Sequence, residues 1–233
     1  MKKHDGFTLV EMVISIAVGM VIIMAIYAVV NMGQRSTVNV ERKVAAHQDA
    51  RASLELMELE IQMASYNPTA TPNIWVDPGN CATASGNQGY RGIQAATDSS
   101  ITVEADIGGS GGDGDGVVGG STNEIITYAY DSVNQYITRS TNCGGNQPFL
   151  GDSPASGRPR AVRVINTAAV PVFRYFNAQG TQIAAAALPA GIPNIARIDI
   201  TLWVETEDVD PNSGQRRRMV YSTSVIPRNH VIN

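Results

Sequence analysis

Hydrophobic and polar positions fall into three regimes along this chain. From Met12 to Val30 no charged residue occurs, and the apolar side chains leave no polar face. From Arg35 to Tyr66 there is neither proline nor glycine, and apolar residues recur at helical spacing. Val40 and Val44 begin that stripe, Leu54, Met57, Ile61 and Ala64 continue it, and Leu56, Leu59 and Met63 widen it near its end. The pattern predicts one helix from Phe7 to Tyr66, about 90 Å long at about 1.5 Å per residue. Asn67-Pro68 ends it, because a residue before proline avoids the α region.

After Pro68 the period shortens and turns become frequent. Ile101–Ala105 alternates. Glu124–Tyr130 and Gln135–Arg139 read as a hairpin around Asp131-Ser132-Val133-Asn134. Val162–Ile165 and Val170–Phe176 are further strands, the second followed by a turn at Asn177-Ala178-Gln179-Gly180. Ile195–Glu205 and Arg217–Ile226 flank the turn Asp210-Pro211-Asn212-Ser213-Gly214. Alternation puts Ile198, Ile200, Leu202 and Val204 on one face. Ala184–Ala187 is too short to assign. A long helix followed by many antiparallel strands predicts an α+β roll, the helix laid across a sheet. No internal repeat and no second globular domain is visible.

Composition narrows the class. The chain has 233 residues and a net charge of -4, with 22 glycines and 6% aromatics. Without a basic stripe these values give no support to nucleic-acid binding. The apolar run is long enough for a transmembrane helix, which takes roughly 20 residues. No small-residue cleavage site follows it, so the segment is expected to stay as an anchor. Lys2 and Lys3 favour a cytoplasmic start, placing the remaining chain across the membrane. Glu11 is the anomaly, since a bare acid deep in a membrane helix costs about 2.5–3.5 kcal/mol on insertion scales. At the interface it would instead stay hydrated.

The stretch Gly6-Phe7-Thr8-Leu9-Val10-Glu11 resembles the class III signal of the type IV pilin superfamily: a short basic leader ending in glycine, F-T-L-x-E, and a long apolar helix. The resemblance implies cleavage between Gly6 and Phe7 by the prepilin peptidase and N-methylation of Phe7. It implies that Glu11 meets the terminal amine of a neighbouring subunit during assembly. Residues 1–6 would be the leader, 7–30 the transmembrane and filament-core helix, 31–67 its continuation, and 68–233 a β-rich domain. The fold implied is a pilin-like roll.

Later segments are similar to PilW-like minor pilins. They include Glu58-Leu59-Glu60-Ile61-Gln62-Met63-Ala64-Ser65-Tyr66, Ile125-Ile126-Thr127-Tyr128, Val172–Gly180 and Arg197–Leu202. Gln62 and Ser65 depart from that pattern. The same segments also resemble the J-type minor pseudopilin of type II secretion. The expected partners are other minor pilins, the major pilin, the inner-membrane assembly platform and the prepilin peptidase. The expected location is the bacterial inner membrane, single-pass with the C-terminal domain in the periplasm, and the cell surface once assembled.

Candidate chemistry is sparse. The three histidines, His4, His47 and His230, form no HExxH or HxxxH, and there is no CxxC. Residues 108–112 match G-x-S-x-G and 114–119 match G-x-G-x-x-G, but neither sits in the strand-to-helix context its chemistry needs. The same Gly-rich loop offers Asp113 and Asp115, flanked by Asp106 and Glu124, as oxygen ligands for calcium. Its spacing departs from an EF-hand, and a solvated flexible loop is the favoured reading over calcium. Cys81 and Cys143 are the only cysteines and are expected to pair in an oxidising compartment. Glu205, Glu207 and Asp208 face Arg216–Arg218 across a turn, which reads as an exposed charged hairpin. The expected function is a non-enzymatic minor pilin. A type II secretion pseudopilin, and a membrane-anchored periplasmic enzyme or ligand-binding protein, are the alternatives.

Overall fold

A computed structural model describes residues 8–230 apart from 110, 112, 159, 211 and 212, and apart from the side chain of Asn39. Helix α1 runs over Leu9–Gln62, 54 residues without interruption. Contacts divide the chain into two units, Met1–Val44 and Ala45–Asn233. In the first unit the large apolar side chains from Leu9 to Met32 are 50% to 80% exposed. In the second, α1 buries Ala46, Ala50, Leu54, Met57 and Ile61, with Ala64 just beyond its end. Steps of four, four, three, four and three residues keep one stripe on one face of a 3.6-residue helix.

Val40, Val44, Leu56, Leu59 and Met63 are exposed, so the wider stripe read from the sequence does not enter the core. Leu56, Leu59 and Met63 line an open groove with Ile107 and Ile126 instead. The helix also ends before Tyr66. Ser65 takes a left-handed backbone (φ 67). Ala64 N–H turns back to the carbonyl of Ile61, and Ser65 N–H donates to the carbonyl of Glu104. A left-handed residue with tightened final hydrogen bonds is a common helix terminus.

Among the described residues twelve strands follow: β1 Val76–Asp77, β2 Asn80–Ala84, β3 Ile93–Ala96, β4 Ser100–Glu104, β5 Ile125–Asp131, β6 Tyr136–Thr141, β7 Gln147–Leu150, β8 Val162–Val164, β9 Phe173–Phe176, β10 Gln182–Ile183, β11 Arg197–Thr206 and β12 Arg218–Val225. A short helix, α2 Leu188–Gly191, precedes β11. All pairing is antiparallel. A five-stranded meander runs β3-β4-β5-β6-β7, and a second sheet runs β10-β9-β11-β12. Ten-residue β11 pairs β9 along its first half and β8 along its second, with β12 on its other edge. The fold class is thus α+β as expected, with two main sheets in place of one, and β1–β2 forms a small third.

The alternation read in β11 holds: Ile198, Ile200, Leu202 and Val204 are each 0% exposed. They share one hydrophobic cluster with the buried face of α1 and with Ile93, Ile101, Val103, Tyr128, Ile137 and Leu150 of the meander. The β5–β6 hairpin forms as predicted, with Asp131 opposite Tyr136. Asp131 Oδ1 accepts the N–H groups of Val133 and Asn134, which shapes that turn. In the β11–β12 turn, Asp210 bonds Gln215 and Gly214 across it, while Pro211 and Asn212 lie outside the described residues. Arg218 meets Glu205 at 3.3 Å, and Arg163 meets Glu205 at 2.9 Å. A smaller cluster of Ile74, Trp75, Val76, Val118 and Ile125 lies beside Cys81. Cys81 and Cys143 form a disulfide with a Cα–Cα distance of 5.8 Å, joining β2 to the turn after β6.

Candidate functional site

The N-terminal segment carries the first candidate. Thr8 precedes helix α1, and its carbonyl accepts the first helical hydrogen bond, from Met12 N–H at 3.2 Å. Glu11 Oε2 accepts the Thr8 N–H at 2.9 Å and the Thr8 hydroxyl at 2.9 Å. Glu11 N–H in turn donates to Thr8 Oγ1 at 3.3 Å. This reciprocal pairing is a capping box, which satisfies N–H groups that a helix start leaves without partners. A negative charge there also suits the positive end of the helix. The sequence reading missed this role, although Thr8-x-x-Glu11 is its signal. Gly6 and Phe7, the predicted cleavage and methylation positions, lie outside the described residues together with the rest of the leader.

The second candidate lies in the segment 106–124, which joins β4 to β5. Asp106 and Glu124 stand at its mouth, 0% and 1% exposed. The carbonyl of Glu124 accepts the N–H of Ala105, which holds the two ends together. Asp106 Oδ1 accepts Asp115 N–H at 2.9 Å, and its Oδ2 accepts Gly116 N–H at 3.0 Å. Glu124 Oε2 accepts the N–H groups of Gly119 and Ser121, both at 2.8 Å. Both end carboxylates thus draw the loop's backbone inward. One ligand atom each from Asp106, Asp115 and Glu124 lies within 4.8 Å of the other two. Asp113, grouped with them on sequence, is exposed and is not one of this set. Gly114 stands between Asp113 and Asp115 with φ 76, so the loop does not keep the alternating directions of a strand there. Ser110 and Gly112, part of the G-x-S-x-G match, lie outside the described residues.

Three further polar groupings were not read from the sequence. Glu60 on α1 accepts from Arg139 Nη2 at 2.6 Å and Nε at 3.1 Å, and from the Tyr128 hydroxyl. The bond to Glu60 raises the Arg139 pKa, whereas burial, followed by the tyrosine's own bond to Glu60, raises the Tyr128 pKa. Glu104 is 0% exposed, and burial pushes its carboxyl up to about 8 against the one opposing bond, from Val76 N–H.

Ser65 and His230 form the third grouping, with Oγ 2.8 Å from Nδ1. His230 Nε2 lies 2.8 Å from the carbonyl of Ile192, so Nε2 carries a proton and Nδ1 accepts from the serine in the neutral ring. Ser65 Oγ also accepts Gly92 N–H at 2.9 Å. Burial lowers the His230 pKa, more than the Ile192 bond restores it, and nearby Arg91 lowers it further. A base that resists protonation and is fully enclosed suits a structural pin joining the helix end, β3 and the C-terminal segment. Residues 165 positions apart carry no local signal of such a pair.

Residues 1–27 match the family described as the prokaryotic N-terminal methylation motif. No curated protein and no solved structure matches the chain. The matched segment runs without a break into helix α1, whose N-terminal part is long and apolar enough to cross a membrane. The chain therefore carries the class III signal of type IV pilins at the start of a long N-terminal helix.

Proposed function

We propose that this protein is a PilW-like minor pilin, a non-enzymatic subunit that takes part in starting or topping a type IV pilus. The carrying observation is the methylation motif at residues 1–27, continuous with a helix whose apolar side chains are exposed from Leu9 to Met32. Such a surface needs cover from outside the chain, first a bilayer and then neighbouring subunits. In this reading the prepilin peptidase cuts between Gly6 and Phe7 and the new amine is methylated. The C-terminal domain stands in the periplasm until assembly carries it to the cell surface. The capping box uses only Thr8 and Glu11, so removal of residues 1–6 leaves it intact. Glu11 can then meet the amine of another subunit from a fixed position at the helix start.

Two observations bear on the rivals. The Ser65–His230 pair is where a tethered-enzyme reading would begin, but the lowered His230 pKa and the enclosure of both residues oppose general-base work. The J-type pseudopilin of type II secretion shares the N-terminal features and differs by the machine it serves. Mass spectrometry of the membrane form tests the processing: the mature chain should begin at Phe7, and Gly6→Arg should leave the leader attached. A mature chain beginning beyond the apolar run would overturn the pilin reading. Deleting the protein should reduce surface pili and leave secreted enzymes unchanged; the opposite pattern would assign it to secretion.

A further inference from the structure

We propose that the segment between β4 and β5 is a calcium site built from Asp106, Asp115, Glu124 and Ser121. The acidic cluster alone would be unremarkable on an exposed loop. A second observation points to a cation. Glu124 is 1% exposed, its Oε2 takes two backbone N–H groups, and its Oε1 has no hydrogen-bond partner among the described residues. A buried carboxylate oxygen without a partner is unfavourable unless a cation or a hydrogen-bond donor meets it.

Gly108 shows where that oxygen points. A Cβ placed on Gly108 would lie 2.7 Å from Ser121 Oγ, 2.8 Å from Glu124 Oε1 and 3.2 Å from Asp115 Oδ2. Three oxygens from separate parts of the loop therefore border one small space, which any side chain at 108 would fill. Gly108 does not take a left-handed backbone, so the glycine is needed for room and not for conformation. Asp106 adds the third carboxylate, with a ligand atom within 4.8 Å of those of Asp115 and Glu124. Its two oxygens also fix the backbone of Asp115 and Gly116, and so hold Asp115 in place.

The donor set selects the ion. All its members are hard oxygens, three carboxylates and a hydroxyl, with no imidazole or thiolate to favour zinc or copper. Calcium accepts six to eight such oxygens in irregular geometry, with water completing the shell, whereas magnesium demands a near-ideal octahedron. Asp115 is exposed and Glu124 buried, so the ion enters past Asp115 and comes to rest against Glu124. A bound ion would tie both ends of the loop to its middle, beside the cluster of Val118 and Ile125.

The test uses the full chain in detergent, stripped with a chelator and titrated calorimetrically with calcium chloride or magnesium chloride. Calcium should bind with measurable heat and raise the melting temperature, and magnesium should do so much more weakly. Asp115→Asn, at an exposed position, should weaken calcium binding by about tenfold or more, because the number of charged ligands sets the affinity. Gly108→Ala should abolish binding by occupying the site. Glu124→Gln should also abolish binding while leaving the metal-free melting temperature equal or higher, which separates a lost ligand from a failed fold. The proposal is overturned if the unmutated chain shows neither heat nor stabilisation at millimolar calcium, if magnesium matches calcium, or if Gly108→Ala and Asp115→Asn bind like the unmutated chain.

Discussion

Helix α1 belongs to two regions that use the same secondary structure in opposite ways. Before Val44 its apolar residues are exposed on all sides, and the large apolar side chains from Leu9 to Met32 are at least half exposed. After Ala45 only one stripe is apolar and buried, and it joins both five-stranded sheets in one core. The second region is stabilised by its own sheets. The first leaves its apolar side chains uncovered by the rest of the chain. Hydrophobicity without periodicity thus marks a surface for other molecules, and hydrophobicity with a period near 3.6 marks a surface for the chain itself.

Substitutions should separate the regions, and the largest effect is expected at Glu60. Glu60→Ala leaves Arg139 and the Tyr128 hydroxyl without their buried acceptor. Breaking a buried pair by removing one partner costs about 3–5 kcal/mol. Chemical denaturation of the full chain in detergent, followed by tyrosine and tryptophan fluorescence, should show that loss. Ile22→Ala, in the exposed apolar run, should leave the same transition unmoved. Equal effects from the two would show that the regions do not stand apart.

The disulfide comes next. Cys81 and Cys143 are 62 positions apart and close a loop lying wholly in the second region. Cys81→Ser should lower stability by about 2–4 kcal/mol, because the unfolded chain regains the freedom the bridge removed. The melting temperature should fall by the same amount on reducing the unmutated protein as in the variant. Membrane retention should not change, since the anchor shares no covalent link with the bridge beyond the chain itself.

A smaller effect follows from His230, whose pKa is lowered in the folded chain by burial. An unfolded histidine titrates near about 6.5. Below that value the unfolded chain binds a proton that the folded chain still resists. Stability is therefore complete above the unfolded pKa and declines as pH falls through it. Denaturation midpoints between pH 8 and pH 5, as a range of about three units around that value, should trace this decline. His230→Gln should flatten the His230 part of the slope at the cost of the Ser65 bond. An unchanged slope would mean that the ring is solvated and not enclosed.

What the sequence made legible follows the same division. The apolar run, the stripe through Leu54, Met57, Ile61 and Ala64, and the alternation in β11 were readable because each surface faces one kind of environment along its whole length. Leu56, Leu59 and Met63 misled because they extend a helical stripe yet border the open groove with Ile107. Strand β7 was missed: Pro148 sits in it, which is tolerated because among the described residues β7 pairs only with β6, at the edge of its sheet. The two residues of β1 are too few for a period, and polar β2 depends on its partner and the disulfide. For the candidate calcium site, the Asp and Gly pattern named Asp106, Asp113, Asp115 and Glu124, and the structure brings Asp106, Asp115 and Glu124 together without Asp113. The roles of Gly108 and Ser121 depend on how the loop closes, which no local pattern encodes.

The smallest effect on stability, and the most informative on assembly, is expected at the helix start. Glu11 has two possible duties there, capping its own helix and carrying a charge toward another subunit. Two substitutions divide them. Glu11→Gln keeps a side-chain oxygen able to accept the Thr8 N–H, since glutamine also serves in a capping box, and removes only the charge. Thr8→Val keeps the charge and the shape and removes the hydroxyl that accepts Glu11 N–H. Loss of one such cap costs about 1 kcal/mol at the helix end. Neither change should move the unfolding transition of Ala45–Asn233, whose core contains neither residue. If the charge serves assembly, Glu11→Gln should be processed and held in the membrane yet missing from sheared filaments, while Thr8→Val is incorporated. If helix capping is the requirement, Thr8→Val should fail and Glu11→Gln succeed. Normal incorporation of both would strip Glu11 of an assembly role and leave it as a hydrated cap. A variant invisible to the melt but decisive for the filament would show that this region does its work only against other chains.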